Sequence, residues 1–234
     1  MRKLFGLLLL LLAVSSCEED TNMIIHTPQR IHLYPGEQKQ IEAESSQKIQ
    51  YSSLNDYYAS VDENGLVTAR YVGDTQVRLS TSDVKEFIQV SVIPRYTLYV
   101  EPYYEFPSTR YAVEKMYGEP YKEEDNCLVY ETLDVEASKY FYFCFDDEDN
   151  LLASVTTITE GNEEELGKFL AERYVTVNQE EFIYRNTLEV TDETVEIRSF
   201  YSDKYGSRVV VYAPYGTDFD TFKTFAEPLK YCKK

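Results

Sequence analysis

Few side chains in this 234-residue chain are suited to acid–base or nucleophilic chemistry, and they are poorly placed for it. His26 and His32 are its two histidines, and residues 95–234 contain none. A histidine-based triad in that part is therefore impossible. Neither histidine has a serine or cysteine nearby in a nucleophile context, so each reads as a solvated side chain rather than a base. Carboxylates are plentiful, but a glycosidase needs two acids flanking a deep cleft. A hairpin-built domain of residues 95–234 offers little room for one. The run Asp146-Asp147-Glu148-Asp149-Asn150 has acids at alternate positions, as a calcium loop does. However, Leu151 stands where such a loop needs glycine, and no Glu closes it. It reads as an acidic hairpin turn, as does Asp62-Glu63-Asn64. No Gly-rich phosphate cradle and no C-x-x-C spacing is present, so no catalytic residue, metal site or cofactor is expected.

Tyrosine is the remaining chemical signal, with 22 Tyr, 12 Phe and no Trp. Tyr96, Tyr99, Tyr103 and Tyr104 crowd one stretch, and Tyr99, Tyr103 and Tyr104 are the candidate ligand-binding residues. Tyr offers rigid contact area with a polar tip. The competing reading is that these rings cover sheet faces.

The four cysteines divide into Cys17 and three others. Cys127 and Cys144 fall on neighbouring expected strands and could pair, or could stay as two half-buried thiols. Cys232 has no assigned partner.

These side chains need elements to hold them. Met1-Arg2-Lys3, the apolar run Leu4 to Val14, and Ser15-Ser16 make a secretory signal too short to span a bilayer. The stretch Val14-Ser15-Ser16-Cys17 resembles a bacterial lipobox. That resemblance implies cleavage after residue 16 and a lipid on Cys17, which would anchor the chain in the cell envelope as an outer-membrane lipoprotein, periplasmic or surface-exposed. Two or more acyl chains hold a protein firmly. Residues 17–27 read as a lipidated tether, whose acidic Glu18-Glu19-Asp20 loosely resembles a surface-export signal or is a solvated spacer. A formal charge of −18 makes nucleic acid and anionic lipid unsuited as partners.

Residues 28–94 read as an all-β module. Asn64-Gly65 between Ala59-Ser60-Val61 and Leu66-Val67-Thr68-Ala69 is a strong hairpin signal, since both tolerate positive φ. Turns recur at the spacing of a small sandwich. The set Tyr51-Ser52-Ser53, Ala59-Ser60-Val61-Asp62, Asn64 to Ala69 and Gly73-Asp74-Thr75 resembles the bacterial Ig-like domain, group 2, over residues 28–93. The family commonly has Trp where Tyr51 stands, so packing there must differ. The resemblance implies a non-catalytic stalk, spacer or binding module.

Residues 95–106 form a junction in which Tyr96, Leu98 and Val100 alternate like a short strand. Beyond it, residues 107–234 read as a tandem α-β-β-β duplication, 108–158 and 162–213, which is α+β logic. In the first helix Tyr111, Ala112 and Met116 share a face, and Gly118 ends it. In the strand Lys139 to Phe145, Phe141, Phe143 and Phe145 face one way and Tyr140, Tyr142 and Cys144 the other. The second helix starts at Asn162 with Glu165 in the capping-box position. A last helix is expected from Thr217 to Glu227, capped by Thr217 and Asp220. The element order is similar to small envelope proteins with helix-plus-sheet repeats, such as the beta-lactamase inhibitor protein. The whole reads as an all-β Ig-like sandwich followed by an α+β domain: an envelope-anchored binding or adhesion protein for a protein or glycan ligand. The alternative readings are a docking subunit of an envelope complex and, least supported, a carboxylate-based hydrolase.

Overall fold

A computed structural model describes residues 22–132 and 137–223. Cys17, its leader, Cys232 and the helical expectation beyond residue 223 lie outside the described residues.

The first module contains nine strands: β1 (Met23–Ile25), β2 (Arg30–Leu33), β3 (Gln38–Gln40), β4 (Ala43–Ser45), β5 (Gln50–Ser53), β6 (Ala59–Val61), β7 (Leu66–Ala69), β8 (Gly73–Ser80) and β9 (Lys85–Val92). One sheet runs β2-β9-β8-β5, with β2 parallel to β9; the facing sheet runs β3-β7-β6, and β1 pairs with β4. Ile31, Val67, Val77, Leu79, Ile88 and Val90 alternate inward and fill the space between the sheets. The Asn64-Gly65 turn joins β6 to β7 as expected. Asp62 Oδ1 accepts from the N–H groups of Asn64 and Leu66, at 2.9 and 2.8 Å. Gly65 has φ 83°, and a Cβ there would sit 2.9 Å from the Tyr51 ring. The smaller ring at position 51 thus packs on bare turn backbone, and any side chain at 65 would displace it.

Part of the expected tether is ordered sheet. Met23 pairs with Ser45 and Ile25 with Ala43. Met23 and Ile25 pack on the sandwich core while Ile24 points out, the two-residue period of a half-buried strand. The junction corrects a second expectation. Leu98 and Tyr99 are both buried and Val100 is 65 % exposed, so the stretch does not alternate and forms no strand.

The second module is two copies of one unit. The first is α1 (Arg110–Tyr117), β10 (Lys122–Glu124), β11 (Cys127–Glu131), β12 (Tyr140–Phe145) and β13 (Leu151–Ile158). The second is α2 (Glu163–Ala171), β14 (Val175–Asn178), β15 (Ile183–Arg185), β16 (Val195–Ser202) and β17 (Ser207–Pro214). Each unit therefore has a fourth, short strand beyond the three expected. All eight strands form one sheet in the order β10-β11-β12-β13-β17-β16-β15-β14. The last strands of the two units meet antiparallel at its centre, with Thr156 opposite Val210.

A single cross-strand row shows how the sheet is faced: Leu128, Phe143, Ser154, Tyr212, Ile197 and Tyr184 lie side by side across six strands. Both helices pack on this face. α1 buries Val113 against Leu128, Phe141, Phe143 and Phe145. Tyr111 and Met116 are 72 % and 60 % exposed, so the buried stripe is Val113 with Tyr117, four residues apart, not the face expected. α2 buries Leu166, Phe169 and Leu170 against Tyr184, Ile197, Val210 and Tyr212. On the opposite face Val155, Val209 and Val211 are covered by Phe219 and Phe222 of a short 3-10 turn, Phe219–Phe222.

Two expected caps differ. Asn162 makes no side-chain cap to α2; its amide donates back to Thr159 O at 3.1 Å instead. Thr217 donates to Pro214 O at 2.7 Å, and Asp218 caps the 3-10 turn through Asp220 N. In both cases a nearer backbone carbonyl holds the expected capping group. Cys127 and Cys144 stand directly opposite on β11 and β12 and are joined in a disulfide.

Candidate functional site

The end of α2 joins the two modules. A helix leaves its last carbonyls without intrahelical partners. Here the first module supplies them: Val72 N donates to Glu172 O at 2.9 Å, and the Tyr57 hydroxyl to Arg173 O at 2.6 Å. The Glu172 side chain is 6 % exposed. Its carboxylate accepts from the N–H groups of Arg95 and Tyr96, at 3.0 and 2.9 Å, and from Arg173 Nη1 at 2.8 Å. Arg173 in turn donates to Phe169 O and Tyr96 O, at 3.1 and 3.0 Å, and lies 3.7 Å from the Phe169 ring centroid. A buried ion pair tolerates desolvation only when its remaining donors and lone pairs are satisfied, and these are.

Beside this joint lies a second polar group. Glu101 accepts from the Tyr174 hydroxyl and, at 3.3 Å, from that of Tyr212; Arg173 Nε is 3.6 Å away. The Tyr212 hydroxyl also meets that of Tyr99 at 2.6 Å. Burial holds the Glu101 carboxyl above its ordinary value, opposed by the Tyr174 hydrogen bond and by Arg173. Burial, helped by Glu101, pushes Tyr104 up to about 12. A cavity of about 130 Å³ opens here between Tyr57, Tyr58, Glu101, Tyr104, Arg173 and Asn186. It is small, and Tyr57, Glu101, Arg173 and Tyr174 on its walls are already engaged with one another, so the arrangement serves as a joint.

The three candidate tyrosines fall at different depths. Tyr99 is 5 % exposed and belongs to the core beneath α2, unavailable to a ligand. Tyr103 is half-buried; its N–H donates to Tyr117 Oη at 2.9 Å, its hydroxyl pairs with Ser108 at 3.0 Å, and its carbonyl accepts from Ser154. Tyr104 stacks on Tyr212 at 4.9 Å, and of the three it alone lines the cavity. His26 lies 3.4 Å from Glu44, and His32 is exposed on β2. Asp146 closes the β12–β13 hairpin, accepting from the N–H groups of Glu148 and Asn150 and from the Asn150 amide.

A larger concavity, about 460 Å³, opens at the edge of the second unit. Its walls include Phe182, Ile183, Arg198, Phe200, Tyr201, Arg208 and Lys223, with Glu180 and Glu181 also lining it. It exists because β15 is short. In the first unit β11 pairs with β12 from Cys127 opposite Cys144 to Glu131 opposite Tyr140. In the second, β15 covers β16 only from Glu196 to Arg198, while β16 continues to Ser202. Arg198 is paired with Glu196, and Lys223 with Asp220 at 2.7 Å. Arg208 has no carboxylate partner among the described residues; it donates to Ser199 Oγ at 3.3 Å and lies 4.9 Å from the Phe182 ring centroid. Sequence reasoning missed this groove. The unequal lengths of the two apolar runs around 183 and 195–202 were the available signal.

Comparison with known proteins bears on the first module. Residues 33–90 match the family model of the bacterial Ig-like domain (group 2), as the motifs between Tyr51 and Thr75 imply. No curated protein sequence matches the chain. Among solved structures, domains 5-6 of the S-layer protein SbsC align at 10 % identity and TM-score 0.26, covering 84 % of this chain and 87 % of that one. The C-terminal domain of TagH aligns at 13 % identity and TM-score 0.25, covering 72 % of this chain and 98 % of that one.

Proposed function

We propose that this chain is a cell-envelope lipoprotein, held by a lipid on Cys17, that binds a protein or glycan partner without transforming it. The Ig-like module is its stalk, and residues 95–234 are its binding part. The observation that supports this reading is the joint at Glu172 and Arg173. Main-chain and side-chain groups of both modules meet there in one buried network, so the groove on the second unit is presented at a fixed attitude to the stalk. A preorganised surface loses less entropy on binding than a hinged one. The open edge of β16 also favours a second reading, a subunit that docks permanently onto another envelope protein.

Intact-mass measurement of the full-length protein recovered from membranes tests the anchor: the expected mass begins at Cys17 and includes acyl chains. Affinity capture from detergent-solubilised envelopes, with the lipidated protein as bait, tests the binding. A saturable partner is expected, and a stable stoichiometric one selects the docking reading. An unmodified Cys17 thiol, or steady turnover of a substrate by residues 95–234, contradicts the proposal.

A further inference from the structure

The edge of β16 carries its own instructions about what fits beside it. Successive residues of a strand in an antiparallel ladder turn their main-chain N–H and C=O alternately to one neighbour and the other. Ser199 N donates outward to Phe182 O at 3.1 Å, and Asp203 N donates to Lys223 O at 3.0 Å. The residue between them in the same phase is Tyr201, so its N–H and C=O also point outward. Neither has a partner from β15, which stops at Ile183 opposite Arg198. The gap from Ser199 to Asp203 spans about 13 Å at the rise of a strand, room for about three extended residues. Directly opposite Tyr201 on β17 is Arg208, whose guanidinium has no carboxylate partner within ion-pair distance among the described residues, although the chain carries a net charge of −18.

From this juxtaposition we propose that the groove takes a short extended peptide segment of a partner protein, with one acidic side chain directed at Arg208. The segment sits where β15 would run if it were as long as β11. Its main chain exchanges hydrogen bonds with Tyr201, and its carboxylate pairs with the guanidinium, a charge-assisted contact. Phe182 and Phe200 supply apolar walls for the flanking side chains. Glu180 and Glu181 on the same groove disfavour a polyanion, so the occupant carries a single acid among apolar neighbours. This inference rests on the binding reading above and narrows it from protein or glycan to peptide.

The test uses the full mature chain and three fluorescent seven-residue peptides. They are identical and apolar except for a central glutamate, glutamine or lysine, and binding is read by anisotropy. The glutamate peptide is expected to bind at least tenfold more tightly than the lysine peptide, with glutamine between. Arg208→Gln is expected to bring the glutamate and glutamine peptides within twofold of each other while leaving the glutamine peptide unchanged. Tyr201→Pro removes the outward N–H together with the Tyr201 ring, whereas Tyr201→Ala removes the ring alone; the first is expected to weaken all three peptides at least tenfold more than the second. Should the proline variant fold poorly, amide hydrogen exchange of wild-type Tyr201 replaces it: exchange slows on adding the glutamate peptide. Equal affinities, a glutamate preference that survives Arg208→Gln, or an unchanged Tyr201 amide overturns the proposal. Concentration-dependent self-association that blocks the groove overturns it too, by assigning the edge to a second copy. If envelope capture still yields a saturable partner while the peptides fail, the inference alone falls; if both fail, the binding reading falls with it.

Discussion

Glu101 sits among Tyr174, Tyr212, Tyr104 and Arg173 with its carboxyl held above the ordinary value of 4.5, chiefly by burial. The folded state therefore holds that proton more tightly than the unfolded chain does. The contribution of Glu101 to stability is full below pH 4.5 and declines as pH rises through the folded value. Glu101→Gln is expected to remove this decline, so urea midpoints of variant and wild type should converge or cross as pH rises from 4.5 towards neutrality. Parallel curves across that window would contradict the assignment. The carboxyls of Asp146, Glu164 and Asp220 are shifted downwards, so their effects fall on the acid side and cancel in the comparison. The network was only partly legible in the sequence. A crowd of tyrosines around 96–104 was visible, but periodicity could not say that Tyr99 enters the core while Val100 points to water. That split follows from an irregular segment passing under α2, where neither the strand nor the helix period applies.

At the scale of elements, the end of α2 and the β11–β12 bridge make separate predictions. Glu172→Ala leaves two backbone N–H groups and the Arg173 guanidinium without their acceptor, so a loss of about 3–5 kcal/mol is expected. Calorimetry should then show two transitions in place of one, because the modules lose their shared network; one undivided transition of unchanged midpoint would argue against the joint. The disulfide closes a short loop, Cys127 to Cys144 being 17 residues apart, so reduction is expected to cost about 3 kcal/mol by loop entropy. Denaturant midpoints with and without reductant measure it. The hairpins, both helices and the faces of β12 could be read directly from alternation and from turn residues such as Asn64-Gly65. β10 escaped because Lys122, Glu123 and Glu124 are all exposed and charged, with no alternation to detect. β14 escaped because Val175 and Val177 make too short a run, and Val177 is exposed. The exposed face of α1 was misjudged for the same kind of reason: Tyr111 and Met116 are large and apolar, yet the sheet accommodates only the Val113–Tyr117 stripe.

At the scale of the molecule, the duplicated unit explains both the continuous sheet and its one uneven edge. Two copies related about the β13–β17 pair would present equivalent edges, but the second copy shortens β15 and, among the described residues, leaves β16 open. An open edge in a soluble protein is a hazard unless it is blocked or used. Here it is bracketed by the Phe182 and Lys223 carbonyls and fixed to the stalk through α2. The most direct test places a photo-crosslinking amino acid at position 201 of the full-length protein in living cells, with position 87, an exposed site on the Ig-like module, as control. Discrete crosslinks to a partner polypeptide from 201, absent from 87 and weakened by Arg208→Gln, are the predicted result. Identical patterns from the two positions, or crosslinks from 87 alone, would contradict the claim that this molecule binds its partner through the open edge of its second repeat.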